Sequence, residues 1–315
     1  MHYRNLGRSG LKVSAVGLGA NQFGNKVDLE TTRRVLDRAL DLGVNFVDTA
    51  DVYAQGRSEE YIGQAIRDRR HRFVIASKVR FKTGDGPNDQ GASRQHILNG
   101  VEASLRRLQT DAIDLYQIHE WDAETPIDET MRALDDLARS GKVRYVGASN
   151  FAAWQLCRAN DVAEMRGWTT FVSIQPHYHM LERGVEAELL PYCKAFNVGI
   201  LPYFPLAGGF LTGKYRRGEG APPGSRGETS KYVQKYMTNA NYAIIERLAQ
   251  FAEARGRALN ELAIAWLLAQ PQVSSVIAGA TKPEHVEANV KAEAWALSED
   301  ELTAVDEILG VKRDA

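Results

Sequence analysis

Four residues of different chemistry, Asp48, Tyr53, Lys78 and His119, fall at or just past the ends of short apolar runs. Together they can move a proton. A free tyrosine titrates near ~10, too high for a ready proton donor and acceptor at neutral pH. A nearby ammonium favours the tyrosinate and lowers that value. Lowering it by ~2 units takes about 2.7 kcal/mol, within reach of one close, partly buried cation. The expectation is that Lys78 depresses the Tyr53 pKa and that Asp48 keeps Lys78 charged and oriented. His119 would hydrogen-bond a carbonyl oxygen beside the tyrosine hydroxyl. The implied reaction protonates a carbonyl oxygen while something attacks its carbon. Side chains carry no hydride, so a nicotinamide cofactor is needed.

Such residues act together only if the fold gathers them. Candidate strands lie at 16–18, 45–48, 73–78, 115–119, 145–149, 171–175, 199–203 and 276–278, most of them about 30 residues apart. Between them run segments with apolar residues at helical spacing, such as Ile97, Leu98, Val101, Leu105 and Leu108. Eight strand–helix units predict an α/β fold, a (β/α)8 barrel, with an open doubly wound sheet as the alternative. Residues 3–6 and 11–13 flank a Gly-Arg-Ser-Gly turn and read as a hairpin under the barrel floor. A last helical pattern at 298–309 follows the eighth unit. Barrel sites sit at the C-terminal strand ends. There the sequence places Asp48, Lys78, His119, Ser149, Asn150, Gln175 and Tyr203, with Gly279, Ala280, Thr281 and Lys282 after the eighth strand. The stretch 205–240 shows no periodicity and is rich in Gly and Pro, which marks a functional loop.

Composition sets bounds on the rest. The chain has 315 residues, 44% of them apolar, and 39 Lys+Arg against 40 Asp+Glu. That excludes a disordered chain and argues against a dedicated nucleic-acid binder. Two cysteines, Cys157 and Cys193, make no disulfide framework. The uncharged runs 195–213 and 262–281 are broken by Pro, Gly, Gln and Ser, so neither reads as a membrane helix. These features predict one domain over 1–315, cytoplasmic, with no metal and no membrane partner.

The segments GVNFVDTADVY (43–53), IASK (75–78), DLYQIH (114–119), GASN (147–150) and IAGATKPEHVEAN (277–289) resemble the aldo-keto reductase superfamily. FVSIQPHYHM (171–180) and HEWD (119–122) are most similar to bacterial members related to the potassium-channel β-subunit branch. The resemblance implies a barrel that binds NADPH without a Rossmann domain, with Tyr53 as general acid and Lys78, Asp48 and His119 completing a tetrad. It implies that Ser149, Asn150 and Gln175 hold the nicotinamide carboxamide and that Tyr203 stacks on the ring. Leu206, Gly279, Thr281 and His285 fall on further cofactor positions, Lys214 near the pyrophosphate and Asn289 at the adenine. The chain departs from the common pattern at Asn21, Phe204, Gly279, Ala280, His285 and Ala288. Lys282, at a helix start, could still pair with a 2′-phosphate, so NADPH is expected over NADH. Phe23 and Trp121 are expected to line an apolar pocket for a small carbonyl substrate. Six residues follow 298–309, too few for a long flap, so an open pocket with broad aldehyde and ketone tolerance is expected.

Three other readings compete. Residues 208–215 nearly match a P-loop, but Tyr215 stands where a small hydroxyl should reach magnesium. His177 and His179 form the H-x-H of barrel metal hydrolases, though on the sixth strand instead of the first. The third keeps the fold and makes the chain a cofactor-sensing regulatory subunit. A homo-oligomer is compatible with a barrel of this size. The basic run 67–72 reads as a solvated helix end.

Overall fold

The computed structural model describes residues 1–311. Two short strands, β1 (Tyr3–Asn5) and β2 (Lys12–Ser14), pair as an antiparallel hairpin. Eight parallel strands follow: β3 (Val16–Gly19), β4 (Phe46–Asp48), β5 (Val74–Val79), β6 (Ile113–Ile118), β7 (Val143–Ser149), β8 (Ser173–Gln175), β9 (Gly199–Ile200) and β10 (Val276–Gly279). They pair in chain order, and β10 returns beside β3. Bridges Ile200–Val273 and Tyr203–Ile277 join the two remaining edges, with Ile277 N–H donating to the Pro202 carbonyl at 3.0 Å. The sheet is therefore closed into a (β/α)8 barrel, and the open-sheet alternative is set aside.

The helices form where apolar spacing and caps coincide. They are α1 (Leu29–Asp41), α2 (Arg57–Ile66), α3 (Arg94–Leu108), α4 (Ile127–Arg139), α5 (Ala153–Arg166), α6 (Leu189–Phe196), α7 (Lys231–Gln234), α8 (Asn239–Glu253), α9 (Leu259–Leu268), α10 (Pro283–Lys291) and α11 (Glu299–Leu309). In α1, Asp28 accepts from Thr31 N–H as N-cap, and Thr32, Val35, Leu36 and Ala39 form the buried stripe. In α11, Ser298 and Glu301 make a reciprocal capping box. Among the described residues, no helix is long and apolar enough to cross a membrane.

Strand alternation sets the height of the chemistry. Leu6 and Val13 of the hairpin close the barrel floor against Phe46, Ala76, Leu115, Val172, Leu201 and Ile277. Side chains two apart on a strand share a face. Two residues beyond Phe46, Ala76 and Leu115 come Asp48, Lys78 and Gln117. A polar layer thus lies directly on an apolar one.

The structure differs from the sequence reading in three places. Helix α8 occupies part of the seventh crossover, where no element was expected. The 205–240 stretch holds short 3-10 turns and α7, kinked by left-handed backbone at Gly208 and Gly209. In the basic run 67–72, Arg70 turns inward and donates to the buried Asp114 at 2.6 Å. Asp114 also accepts from Ile75 N–H and Arg144, so this end is tied down and not simply solvated.

One close approach is testable. A Cβ on Gly63 of α2 would lie 2.6 Å from the Arg107 carbonyl oxygen and the Leu108 carbonyl carbon at the end of α3. Gly63→Ala should therefore cost about 1–3 kcal/mol by forcing two backbones apart. Urea unfolding with an unchanged midpoint would refute that contact.

Candidate active site

The polar layer is organised around Lys78. Its ammonium, fully buried, lies 2.6 Å from Asp48 Oδ2, 2.8 Å from the Thr49 carbonyl and 3.4 Å from the Tyr53 hydroxyl. Burial works against this charge, but Asp48 and Tyr53 outweigh it and hold the ammonium above its usual value. The other Asp48 oxygen accepts from Gln175 at 2.7 Å and Gln117 at 3.3 Å. Burial also dominates at Tyr53, where it outweighs the attraction of Lys78, and Asp48 adds to it. The phenol is held above its ordinary value, the opposite of the sequence-based expectation. The reason is that burial of the phenol outweighs the attraction of the nearby ammonium. His119 is driven down to about 2 by burial, then by Lys78 and Arg80, so its imidazole is neutral. Its ring packs on Phe81 at 4.6 Å and edge-on to Tyr53 at 5.9 Å.

The turn carrying Tyr53 is held against its own preferences. Ala54 and Gln55 take left-handed φ values of 50° and 60°. Such backbone is costly outside glycine and persists where the surroundings enforce it. Here the Thr49 and Ser58 hydroxyls meet at 2.7 Å, and Asp51 N–H donates to the Lys78 carbonyl at 3.3 Å. The Asp51 carboxyl is itself buried with no side-chain partner. Burial, then the neighbouring Glu59, pushes it up to about 8 against the pull of Arg107 and Lys78.

A groove crosses the barrel mouth in two joined cavities that share Phe204, Pro205, Arg226 and Gly279. The first, about 280 Å³, is lined by Asp48, Tyr53, His119, Ser149, Asn150, Gln175 and Tyr203. The second, about 480 Å³, is lined by Leu206, Lys214, Gly279, Thr281, His285 and Asn289. Lys26, Lys214 and Arg226 face the groove, and Asp48 at its floor is the one acidic lining residue among those described. A long cleft with a neutral amide-rich end and a cationic end fits a nicotinamide dinucleotide. Asn150, with φ 53°, donates to the His119 carbonyl at 3.1 Å and accepts from the Tyr203 hydroxyl at 2.9 Å.

The expected residues are not all in the groove. Lys282 is exposed at the N-cap of α10 and lines neither cavity. Phe23 is fully buried in the core, so the expectation that it walls the pocket fails; Asn21, two residues earlier, reaches the cavity. Trp121 sits on the rim against Phe151 and Trp154, outside both linings. His177 and His179 face each other and hydrogen-bond Tyr232 and Leu181 N–H respectively. Gln117 and Arg226 were missed. Gln117 was readable, because it lies two residues before His119 on a strand; Arg226 sits in an aperiodic loop with no local signal.

A closed parallel barrel with a buried Lys–Asp pair under a tyrosine, opening into a dinucleotide-sized cleft, defines a class of NAD(P)H-dependent oxidoreductases. Comparison with known proteins agrees. Residues 15–310 match the aldo/keto reductase family, and the chain belongs to that family. It is 42% identical to a probable voltage-gated potassium channel subunit beta of Arabidopsis thaliana, covering 93% of this chain and 91% of the relative. It is 37% identical to the uncharacterized oxidoreductase YrpG of Bacillus subtilis, covering 98% and 96%. It is 35% identical to versiconal hemiacetal acetate reductase of Aspergillus parasiticus, covering 90% of each.

The Asp51 environment makes a stability prediction. A carboxyl raised to about 8 keeps its proton in the fold while the unfolded chain loses its own near ~4, so stability falls as pH rises between those values. Asp51→Asn removes that loss. It should stabilise the protein more at pH 8 than at pH 5, by roughly 2–4 kcal/mol at ~1.4 kcal/mol per pH unit. Parallel stability curves for the two proteins over this range would mean that Asp51 is ionised in the native state.

Proposed function

We propose that the chain, acting as one domain, reduces small aldehydes and ketones with NADPH, with Tyr53 as the general acid. The observation that carries this is the Lys78 ammonium between Asp48 and the Tyr53 hydroxyl at 2.6 and 3.4 Å. A reduced nicotinamide, when bound, supplies hydride to the carbonyl carbon. Tyr53 gives its proton to the carbonyl oxygen, and Lys78 stabilises the phenolate that remains. Asp48, fixed by Gln175 and Gln117, keeps Lys78 aimed and charged. Neutral His119 has one N–H to offer the carbonyl oxygen, which orients the substrate. Because burial holds the phenol above its ordinary pKa, Tyr53 carries its proton at neutral pH, as a general acid requires.

Ser149, Asn150 and Gln175 are assigned to the carboxamide and Tyr203 to the ring face. Arg226 and Lys214 are assigned to the pyrophosphate, with Leu206, Gly279 and Thr281 along the cleft and Asn289 at the adenine. NADPH is favoured over NADH by the charges around His285, whose pKa burial, Lys282 and Lys214 all lower. Lys282, an exposed flexible cation at the start of α10, is assigned to the 2′-phosphate. Asn21 at the pocket wall and Trp121 on the rim support an open, unselective pocket.

A second reading is a slow, cofactor-sensing subunit, favoured by the relative named as a channel subunit beta. The two readings separate by following loss of NADPH and NADH absorbance with a panel of aromatic and aliphatic aldehydes. Tyr53→Phe should lose at least about 100-fold in turnover, with NADPH preferred about tenfold or more through its charge-assisted phosphate contacts. Tight NADPH binding without turnover by wild type would favour the sensor.

The same assay predicts a pH profile. His119 stays neutral and Tyr53 stays protonated, so kcat/KM for reduction should be flat from about pH 5 to pH 9. A fall centred near pH 6–7 would assign the proton to another group.

A further inference from the structure

His177 lies just past β8 and touches both stems of the 205–240 loop. On one side its ring stacks on Tyr203, with centroids 5.2 Å apart and planes 13° from parallel. Phe204, where the loop begins, stands edge-on at 6.4 Å. On the other side the Tyr232 hydroxyl of α7, near the loop's end, lies 2.6 Å from the His177 ring nitrogens. The loop between these stems supplies Leu206, Lys214 and Arg226 to the cleft. Tyr203 is held on its far side by Asn150 at 2.9 Å, which in turn donates to the His119 carbonyl. One chain of contacts therefore runs from the strand ends of the candidate site through Tyr203 and His177 to the loop that lines the cleft.

We propose that His177 is a positioning residue: it backs the Tyr203 ring and, through Tyr232, fastens the far stem of the 205–240 loop. Closing the loop and placing Tyr203 are then one coupled event. This rests on the reading of Tyr203 as the nicotinamide platform. The tie needs His177 as a hydrogen-bond acceptor, hence neutral. Burial drives its pKa down to about 4 against the opposing pull of Glu182, with Lys235 adding a smaller push in the same direction as burial. The groups facing it are Tyr203, Tyr232, His179, Glu182 (3.9 Å) and Lys235, which is itself paired with Glu182 at 3.2 Å. The acceptor is therefore present at neutral pH and is lost as pH falls toward 4.

The test is the rate of NADP⁺ release from the full-length protein, followed by stopped-flow fluorescence. Tyr232→Phe removes the donor, and His177→Phe keeps a stacking ring without an acceptor. Each should speed release about tenfold, and the double variant should be no faster than the faster single, because both cut the same tie. His177→Gln, which restores an acceptor, should release within about threefold of wild type. Wild-type release should quicken as pH drops toward 4 while His177→Gln stays level. Unchanged rates in the singles, or effects that multiply in the double, would overturn the proposal. Tyr203→Ala is the separate control: if it leaves NADPH affinity and bound-cofactor fluorescence unchanged, the platform reading fails first. If it changes them and the His177 series does not, only the coupling fails. Thermal unfolding of each variant confirms that the barrel is intact.

Discussion

A lysine ammonium with no exposure to water is the constraint around which this barrel is arranged. Taking such a charge out of solvent is costly, and its attraction to one carboxylate offsets the cost only if the remaining polar atoms are satisfied. Lys78 therefore needs Asp48 at 2.6 Å and the Thr49 carbonyl at 2.8 Å. Asp48 in turn needs Gln175, from β8 across the barrel interior, and Gln117, from β6 beside the Lys78 strand. Four strands are committed to one cation. The parallel register delivers this: Lys78 pairs with Gln117 and Ser149 with Gln175, so each neighbouring strand presents its polar residue at a similar height. A one-residue slip in any of them would turn the amide into the helical layer and leave a buried charge short of a partner.

The same economy explains why the apolar floor must be complete. Leu6 and Val13 come from a hairpin outside the eight units, yet they seal the layer beneath Lys78. Water entering from below would screen the Lys78–Asp48 pair and weaken the ammonium's field at the Tyr53 hydroxyl. The hairpin thus serves the site through dielectric, without touching it.

Much of this was legible in the sequence, and what was not has physical reasons. Eight short strand-like runs, most about 30 residues apart and six of them ending in a polar residue, are enough to propose a barrel and its mouth. Asp48, Lys78 and His119 are readable because a polar residue at a strand end has few other uses. Phe23 misled because burial in a turn depends on which side of the chain faces the core, and no periodicity reports that between elements. Arg226 and α7 were hidden because the 205–240 loop is held by scattered tertiary contacts such as Tyr232 with His177 and Tyr236 with Glu182. The direction of the Tyr53 shift was misjudged for a related reason. Charge type is written in the sequence, but the balance between burial and a cation already shared with Asp48 exists only in three dimensions.

That balance bears on what the site is for. A tyrosine pulled down by a free lysine would serve as acid and base with equal ease. Here the lysine is committed to Asp48, the hydroxyl is enclosed, and His119 is kept uncharged by the same enclosure. The proton inventory at neutral pH is then fixed: one on Tyr53, one on the imidazole, three on Lys78. Only the phenol proton can leave without stranding a buried charge, because the phenolate would sit beside an ammonium already in place. The arrangement suits a step in which negative charge arrives on an oxygen and must be quenched at once.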